Sequence, residues 1–272
     1  MCQIEPLVSV LFPVNKLDQN AIEALKSILN QTYQNLEVLI IDTSNHVSSS
    51  ISNDFLDMVA SDPRVEYVSL SSTLNLSESL NYGLKICDGE FIARMDSDDI
   101  CFDNRIETQV DYLIANPEIH VLGSAIQILD GFFEHPLKHG QIVVAPAREN
   151  IDIHYWALEK NPIFHPTVIF RKSIKSDVIY NPRYRRAQDY ELWVRLLRKY
   201  NLDNIQTPLL HYRIHQSQAG VIDASLSKLY SNNAQLKHAI WMIMRKRKKL
   251  LIFKIILKRL MSLAIFSLKK IT

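Results

Sequence analysis

The sequence predicts an α/β fold: a mostly parallel central sheet with helices on both faces, followed by a C-terminal helical tail. Three observations lead there. Short, β-rich apolar runs alternate with segments of helical period over roughly the first 120 residues, the pattern of a parallel sheet covered on both sides. Polar features fall at the ends of those runs, where such sheets bind ligands. Apolar residues make up 47% of the 272 and charged residues 22%, the balance of a folded domain with a sizeable core.

Taken in order, Val8 to Phe12 is an apolar strand stopped by Pro13. Asp18 or Asn20 caps a helix whose Ala21, Ile22, Leu25, Ile28 and Leu29 share one face. Leu36 to Ile41 is a second buried strand ending at Asp42. Ile51 to Ala60 has weak helical spacing, and Val65 to Leu70 reads as a third strand. Leu76 to Ile86 is a helix, and Phe91 to Met95 a fourth strand ending at Asp96. Ile106, Val110, Leu113 and Ile114 mark a helix closed by Pro117. From about Val121 to Asn181 five prolines interrupt the pattern, which suggests acceptor-side strands and loops. Asp189 to Lys199 reads as a helix with Leu192, Trp193, Leu196 and Leu197 on its apolar face, and Pro208 to Ile214 as a short strand.

Three cysteines, Cys2, Cys87 and Cys101, form neither a disulfide framework nor a zinc pattern. Together with an N-terminus lacking a signal-peptide pattern, they lead us to expect a reducing, cytoplasmic setting. The net charge of +2 conceals an asymmetry. From Ala224 onward there are 12 Lys/Arg and no Asp/Glu, leaving 19 basic against 29 acidic residues before it, a net of −10. An acidic body suits small-molecule chemistry, and a basic tail meets something anionic.

The chemical signal is densest at Gly89-Glu90-Phe91-Ile92-Ala93-Arg94-Met95-Asp96-Ser97-Asp98-Asp99. An Asp-x-Asp directly after a strand offers hard oxygen ligands to Mg²⁺ or Mn²⁺, whose natural companion is a diphosphate. A solvated acidic turn is the bland alternative. A calcium loop would want Asp or Asn at position 100 and Gly at 101, where this chain has Ile100 and Cys101.

Four stretches in order carry a resemblance to the large inverting glycosyltransferase family of GT-A fold, glycosyltransferase family 2. They are Val8 to Asn15; Ala24 to Tyr33, continuing through Glu37 to Asp42; Ser79 to Leu84, continuing through the Asp-x-Asp to Arg105; and Ala187 to Trp193, followed by His211-Tyr212-Arg213-Ile214-His215. The resemblance spans roughly residues 7–217. It implies a Rossmann-like GT-A domain and transfer of a sugar from a nucleotide-diphosphate sugar, UDP by default, to an acceptor hydroxyl. It implies a donor-binding set of Pro13, Val14, Asn15, Asp42, Asn81, Arg94, Asp96 and Ser97, and a Mn²⁺ or Mg²⁺ held by Asp96, Asp98 and His215. Asp189 becomes the general base, a carboxylate within hydrogen-bond reach of the attacking hydroxyl. Two departures stand out. The second strand ends in Asp42-Thr43 where relatives often carry two acidic residues, so Thr43 would serve through its hydroxyl. The first motif lacks the tyrosine that many relatives place before the asparagine.

Other readings bear on the same residues. Asp189 also suits a helix cap. His165 fits either the acceptor side or the core. Arg94 and Arg105 pair with the acidic cluster or with phosphate. Arg183, Arg185 and Arg186 greet an anionic acceptor or are solvated, and Trp193, on the apolar face of its helix, reads as a core residue rather than a sugar-stacking platform. The run Arg245-Lys246-Arg247-Lys248-Lys249 and the apolar stretch Leu250 to Leu268, with Lys254, Lys258 and Ser262 as a polar stripe, read as a basic amphipathic helix on an anionic membrane surface; a core or dimer helix is the alternative. We therefore expect a transferase domain at residues 1–220 and a tail at 221–272. The expected partners are a nucleotide-sugar donor, a glycan or lipid-linked glycan acceptor and the inner face of a membrane, in surface polysaccharide assembly, with no nucleic acid. Two rivals remain: a nucleotidyltransferase, which would want a Gly-rich basic loop after the first strand, and a non-catalytic nucleotide-sugar-binding protein, which would be expected to lose Asp98 or Asp189.

Overall fold

The computed structural model describes residues 5–44, 50–129, 137–147, 153–214 and 224–245. His215 and the stretch 246–272 lie outside them. The strands are β1 (Val8–Val14), β2 (Leu36–Asp42), β3 (Val65–Ser69), β4 (Phe91–Arg94), β5 (Ile100–Cys101), β6 (Val121–Ile128), β7 (Ile142–Val143), β8 (Ile169–Arg171) and β9 (Leu202–Tyr212). The helices are α1 (Gln19–Leu29), α2 (Ser50–Ser61), α3 (Leu76–Ile86), α4 (Arg105–Ala115), α5 (Ile153–Trp156), α6 (Gln188–Leu196) and α7 (Ala224–Met244).

One sheet carries them in the order β3-β2-β1-β4-β8-β6-β9-β5, with β7 beside β6. Its first four strands, β3-β2-β1-β4, are all parallel. Beyond β4 the pairing is mixed: β8 runs antiparallel to β4 and β6, β9 returns parallel to β6, and β5 pairs antiparallel with β9. β1 is buried at every position, the signature of a strand covered on both faces. Alternation along it sorts the core into two layers. Val8, Val10, Phe12 and Val14 face α1, α2 and α4, while Leu11 packs with Leu80 and Leu84 of α3 and with Leu192 and Trp193 of α6.

Local chemistry sets the helix starts. Asp18 caps α1 by accepting from the N–H groups of Asn20 and Ala21 at 3.0 and 3.2 Å. Asn75 and Glu78 form a reciprocal capping box at α3. Three elements are longer or more regular than expected. β1 does not stop at Pro13 but continues to Val14; β4 pairs only as far as Leu11, so beyond it one side of β1 has no ladder that a missing N–H would break. The interval 121–181 contains β6, a buried eight-residue strand. The strand expected from Pro208 to Ile214 begins earlier, at Leu202, and spans eleven residues.

α7 packs on the same body. Gln235 Nε2 donates to the Tyr190 hydroxyl at 2.8 Å and to the Glu159 carbonyl at 3.1 Å. Ala234, His238, Ala239 and Met242 are buried. No helix among the described residues is long and apolar enough to cross a membrane.

Candidate active site

The carboxyl ends of β1, β2 and β4 meet at one edge of the sheet. Pro13 and Val14 are buried there and Asn15 is exposed just past them. Asp42, 1% exposed, is held by the Tyr67 hydroxyl and by the Ser44 N–H. Thr43 directs its backbone N–H and its hydroxyl to the Val14 carbonyl, at 2.8 and 3.3 Å. The hydroxyl expected to replace a second acid therefore engages the main chain.

β4 delivers the acidic loop. Asp96, Asp98 and Asp99 bring carboxylate oxygens within 4.8 Å of one another, with Ser97 half-buried between them. Arg94, 1% exposed, grips both oxygens of Asp96 with its two terminal nitrogens. Burial nevertheless pushes the Asp96 carboxyl up, and the charges of Asp98 and Asp189 add to that despite Arg94. Asp99 is buried. One oxygen accepts the Arg213 N–H at 2.9 Å, while the other has no hydrogen-bond partner among the described residues. Desolvation, then the charges of Asp98 and Asp96, raise its pKa well above the usual carboxylate range.

Several contacts hold this loop rigid. Arg213, directly after β9, donates from Nε to the Asp98 carbonyl and from Nη2 to Glu23 of α1, both at 2.9 Å. Gln31 donates to the Phe102 carbonyl at 2.8 Å and accepts the Ile106 N–H at 2.9 Å. Arg105, fully buried, donates to the Arg94 carbonyl at 2.8 Å and to Gln109; burial lowers its pKa to about 10. It braces the strand below the cluster through the main chain and pairs with no acid directly among the described residues.

Asp189 approaches from the second half of the domain, in the first turn of α6. It is not the cap. That position belongs to Ala187, whose φ of 53° is left-handed, a strained conformation for a residue with a Cβ and one that recurs at functional sites. Asn161 Nδ2 donates to Asp189 Oδ2 at 2.6 Å. Burial raises the Asp189 pKa; the Tyr190 N–H and Asn161 act against it. The charge of Asp189 reaches Asp96, and Tyr212 responds to all four carboxylates. Asp96, Asp98, Asp99 and Asp189 thus form one electrostatic unit.

Two residues of the expected donor set are engaged otherwise. Asn81 clasps the backbone of Tyr180, donating to its carbonyl at 2.7 Å and accepting its N–H at 2.8 Å. Arg94 is sealed beneath Asp96, so it reaches a donor only through that carboxylate. His165 is a core group: it meets the Tyr180 hydroxyl at 2.8 Å, and burial holds its pKa well below the usual value, keeping it neutral. Trp193 is fully buried, as expected. Asp99 and Arg213 stand in the motif stretches but were assigned no role from sequence, and Asn161 was not singled out. The run of three acids in four residues was the available signal for Asp99, and none existed for Asn161.

All-oxygen donors, clustered and partly desolvated, with one buried oxygen lacking a partner, fit a hard divalent cation. A parallel half ending in such a cluster, faced by a carboxylate from a mixed half, defines a glycosyltransferase of GT-A architecture. Residues 9–176 match the family model described as Glycosyl transferase family 2, and the chain belongs to that family. It is 32% identical over 222 residues to the O-antigen biosynthesis glycosyltransferase WbnJ of Escherichia coli, covering 78% of this chain and 82% of that protein. It is 33% identical over 199 residues to the UDP-Gal:alpha-D-GlcNAc-diphosphoundecaprenol beta-1,3-galactosyltransferase of Escherichia coli, covering 72% and 70%. Among solved structures, S. aureus TarS 1-349 in complex with UDP-GlcNAc superimposes with a TM-score of 0.67 at 15% identity, over 93% of this chain and 71% of that one. The mannosyltransferase PcManGT of Pyrobaculum calidifontis, in complex with GDP-Man and Mn²⁺, gives 0.60 at 15% identity, over 89% and 65%.

Proposed function

We propose that this glycosyltransferase moves a sugar from a nucleotide-diphosphate sugar, in the first instance a UDP-sugar, to a hydroxyl of a glycan or lipid-linked glycan, with inversion at the anomeric carbon. The observation that carries it is the convergence of Asp189 on the Asp96-Asp98-Asp99 cluster from the opposite half of the domain. Pro13, Val14, Asn15, Asp42 and Ser97 line the donor side, and Asp42 is fixed for base or ribose contact by Tyr67.

Asp96, Asp98 and Asp99 would hold a divalent cation, Mn²⁺ or Mg²⁺. When bound, it offsets the charge of the diphosphate and eases its departure. Asp189 takes the proton of the acceptor hydroxyl as that oxygen bonds to the anomeric carbon and the bond to the diphosphate breaks. Asn161 holds that carboxylate in place through its Oδ2. A raised pKa moves Asp189 toward the operating pH, where a general base is most effective.

Surface polysaccharide assembly on a membrane-linked acceptor is the setting we infer. Support comes from the two relatives named for O-antigen biosynthesis and for a diphosphoundecaprenol acceptor, and from the basic tail, which we read as a peripheral anchor at the inner membrane face. The test is a screen of nucleotide sugars for metal-dependent release of nucleoside diphosphate, comparing wild type with Asp98→Ala and Asp189→Asn. One donor turned over, and lost in both variants, is the expected result. Release of pyrophosphate instead, or no turnover of any donor with membrane lipid extract present, would overturn the assignment.

A further inference from the structure

A second charged cleft lies away from these carboxylates. It has a volume of about 430 Å³ and is lined by His154, Leu197, Arg198, Lys199, Tyr200, Asn201, Trp241 and Arg245. Leu197 to Asn201 joins α6 to the start of β9. Because β9 runs parallel to β6, and β6 parallel to β4 through β8, the start of β9 lies at the edge opposite the acidic loop. Arg198 stands about 13 Å along the α6 direction from Asp189, at 1.5 Å per residue.

Three cations, Arg198, Lys199 and Arg245, line this cleft, and no carboxylate does among the described residues. Lys199 is partly neutralised by Asp177 at 2.8 Å. Arg198 and Arg245 form no ion pair among the described residues. Arg198 is half-buried, and its Nε is buried with no hydrogen-bond acceptor there. Arg245 lies over the Trp241 ring at 5.7 Å, and that ring stacks with His154 and His238 at 5.5 and 5.8 Å. A guanidinium fixed on an aromatic face beside a second, partly desolvated one suits the forked recognition of phosphate oxygens.

We propose that this cleft is a second ligand site, one that takes a phosphate group. The source is either a soluble phosphate or the headgroup of an anionic lipid. The lipid has further support: α7 exposes Ile240 and Met244, 48% and 77% accessible, one turn apart at the end from which the chain continues into Lys246-Arg247-Lys248-Lys249. Apolar side chains beside cations are what an interfacial surface presents to a bilayer. The site is independent of the transfer chemistry and is tested without donor or acceptor.

The experiment uses the full chain in chelator. Inorganic phosphate is titrated by calorimetry, and sedimentation is measured with phosphatidylcholine vesicles with and without phosphatidylglycerol. Arg198→Gln/Arg245→Gln is compared with wild type and with Lys26→Gln/Lys138→Gln, which removes the same charge elsewhere. Arg245→Gln alone alters only an exposed side chain and guards against misfolding. Each arginine is expected to be worth roughly fivefold in affinity, about twenty-five-fold together. Loss in the phosphate titration assigns a soluble ligand; loss confined to phosphatidylglycerol vesicles assigns a lipid headgroup. Binding in both assays that stays within twofold of wild type, or falls equally in the lysine control, overturns the site.

Discussion

Replacing Asp99 by asparagine asks whether the third carboxylate of the acidic loop exists for the fold or for a cation. The amide retains size and still accepts the Arg213 N–H, so only the charge and one oxygen are lost. Carboxylate charges 4.8 Å apart or closer repel by about 3.5 kcal/mol at an effective dielectric of about 20. Arg94 largely offsets Asp96, which leaves Asp98 as the opposing neighbour. Protonation of Asp99 relieves part of the strain, so the expected gain in metal-free stability is about 1–2 kcal/mol, or roughly 2–6 °C in Tm. The sign with pH follows from linkage. A carboxyl whose pKa is raised by folding binds its proton more tightly in the folded state. Metal-free wild type therefore loses stability as pH rises from the ordinary carboxylate value through the raised one, and Asp99→Asn flattens that slope. Thermal unfolding in EDTA and in Mn²⁺ measures both effects. Asp99→Asn should melt higher than wild type in chelator and gain less from Mn²⁺. A lower Tm in EDTA together with an undiminished Mn²⁺ shift would refute the reasoning and make Asp99 a structural acid.

Other outcomes follow from named contacts. Asp189→Asn should lower turnover by about 10²–10⁴-fold with donor affinity unchanged, read by steady-state kinetics beside donor titration. The acid limb of kcat/KM should lie above the ordinary aspartate range, because burial raises Asp189. Asn161→Ala removes a bond that favours the ionised form, so it should move that limb to higher pH; a limb that stays put would exclude Asp189 as its origin. Arg213→Gln breaks the ties to the Asp98 carbonyl and Glu23, and should weaken Mn²⁺ binding by about 10–100-fold, as second-layer changes do, with calorimetry as the readout. At Gly89 an added Cβ would lie 2.4 Å from the Ser9 nitrogen and 2.6 Å from the Phe91 oxygen. Gly89→Ala should therefore destabilise by about 2 kcal/mol or more, measured as a lower denaturant midpoint.

What the sequence made legible was whatever depends on local pattern. β1, β2 and β4 are mostly apolar, with Ser9, Glu37 and Arg94 among the exceptions within them, and α3 begins and ends where its spacing predicts. β6 was hidden because Gly123, Ser124 and Gln127 break its apolar pattern. The fold accepts them through distant partners: the Ser124 N–H donates to Thr167 Oγ1 at 3.0 Å, and Gly123 gives room to Asn204 and Ile163. The early part of β9 was missed for the same reason. Its Asp203 is bonded by the Tyr112 hydroxyl, and its Asn204 donates to the carbonyls of Pro146 and Pro162, so polar residues are buried by groups no local window contains. In the site, Asp96, Asp98 and Asp189 were visible because they stand in ordered motifs. Asn81 and Arg94 belong to the same motifs, yet their side chains serve the scaffold. Asn161, Asp99 and Arg213 act through contacts spanning 28 and 114 residues, and such pairings exist only once the chain has folded.

The union of Asp98 and Asp99 with Arg213, and of β5 with β9, has a consequence for the living history of the molecule. On the ribosome the acidic loop is made early, and β1 to β4 can pair as they emerge. The arginine that secures the loop is added more than a hundred residues later, when β9 completes the sheet beside β5. A nascent chain that has reached only residue 200 therefore carries all three loop acids without the strand and the clamp that hold them. The acidic cluster gains its clamp only at the end of translation of this domain, and a chain stalled before that point has the carboxylates without the contacts that hold them.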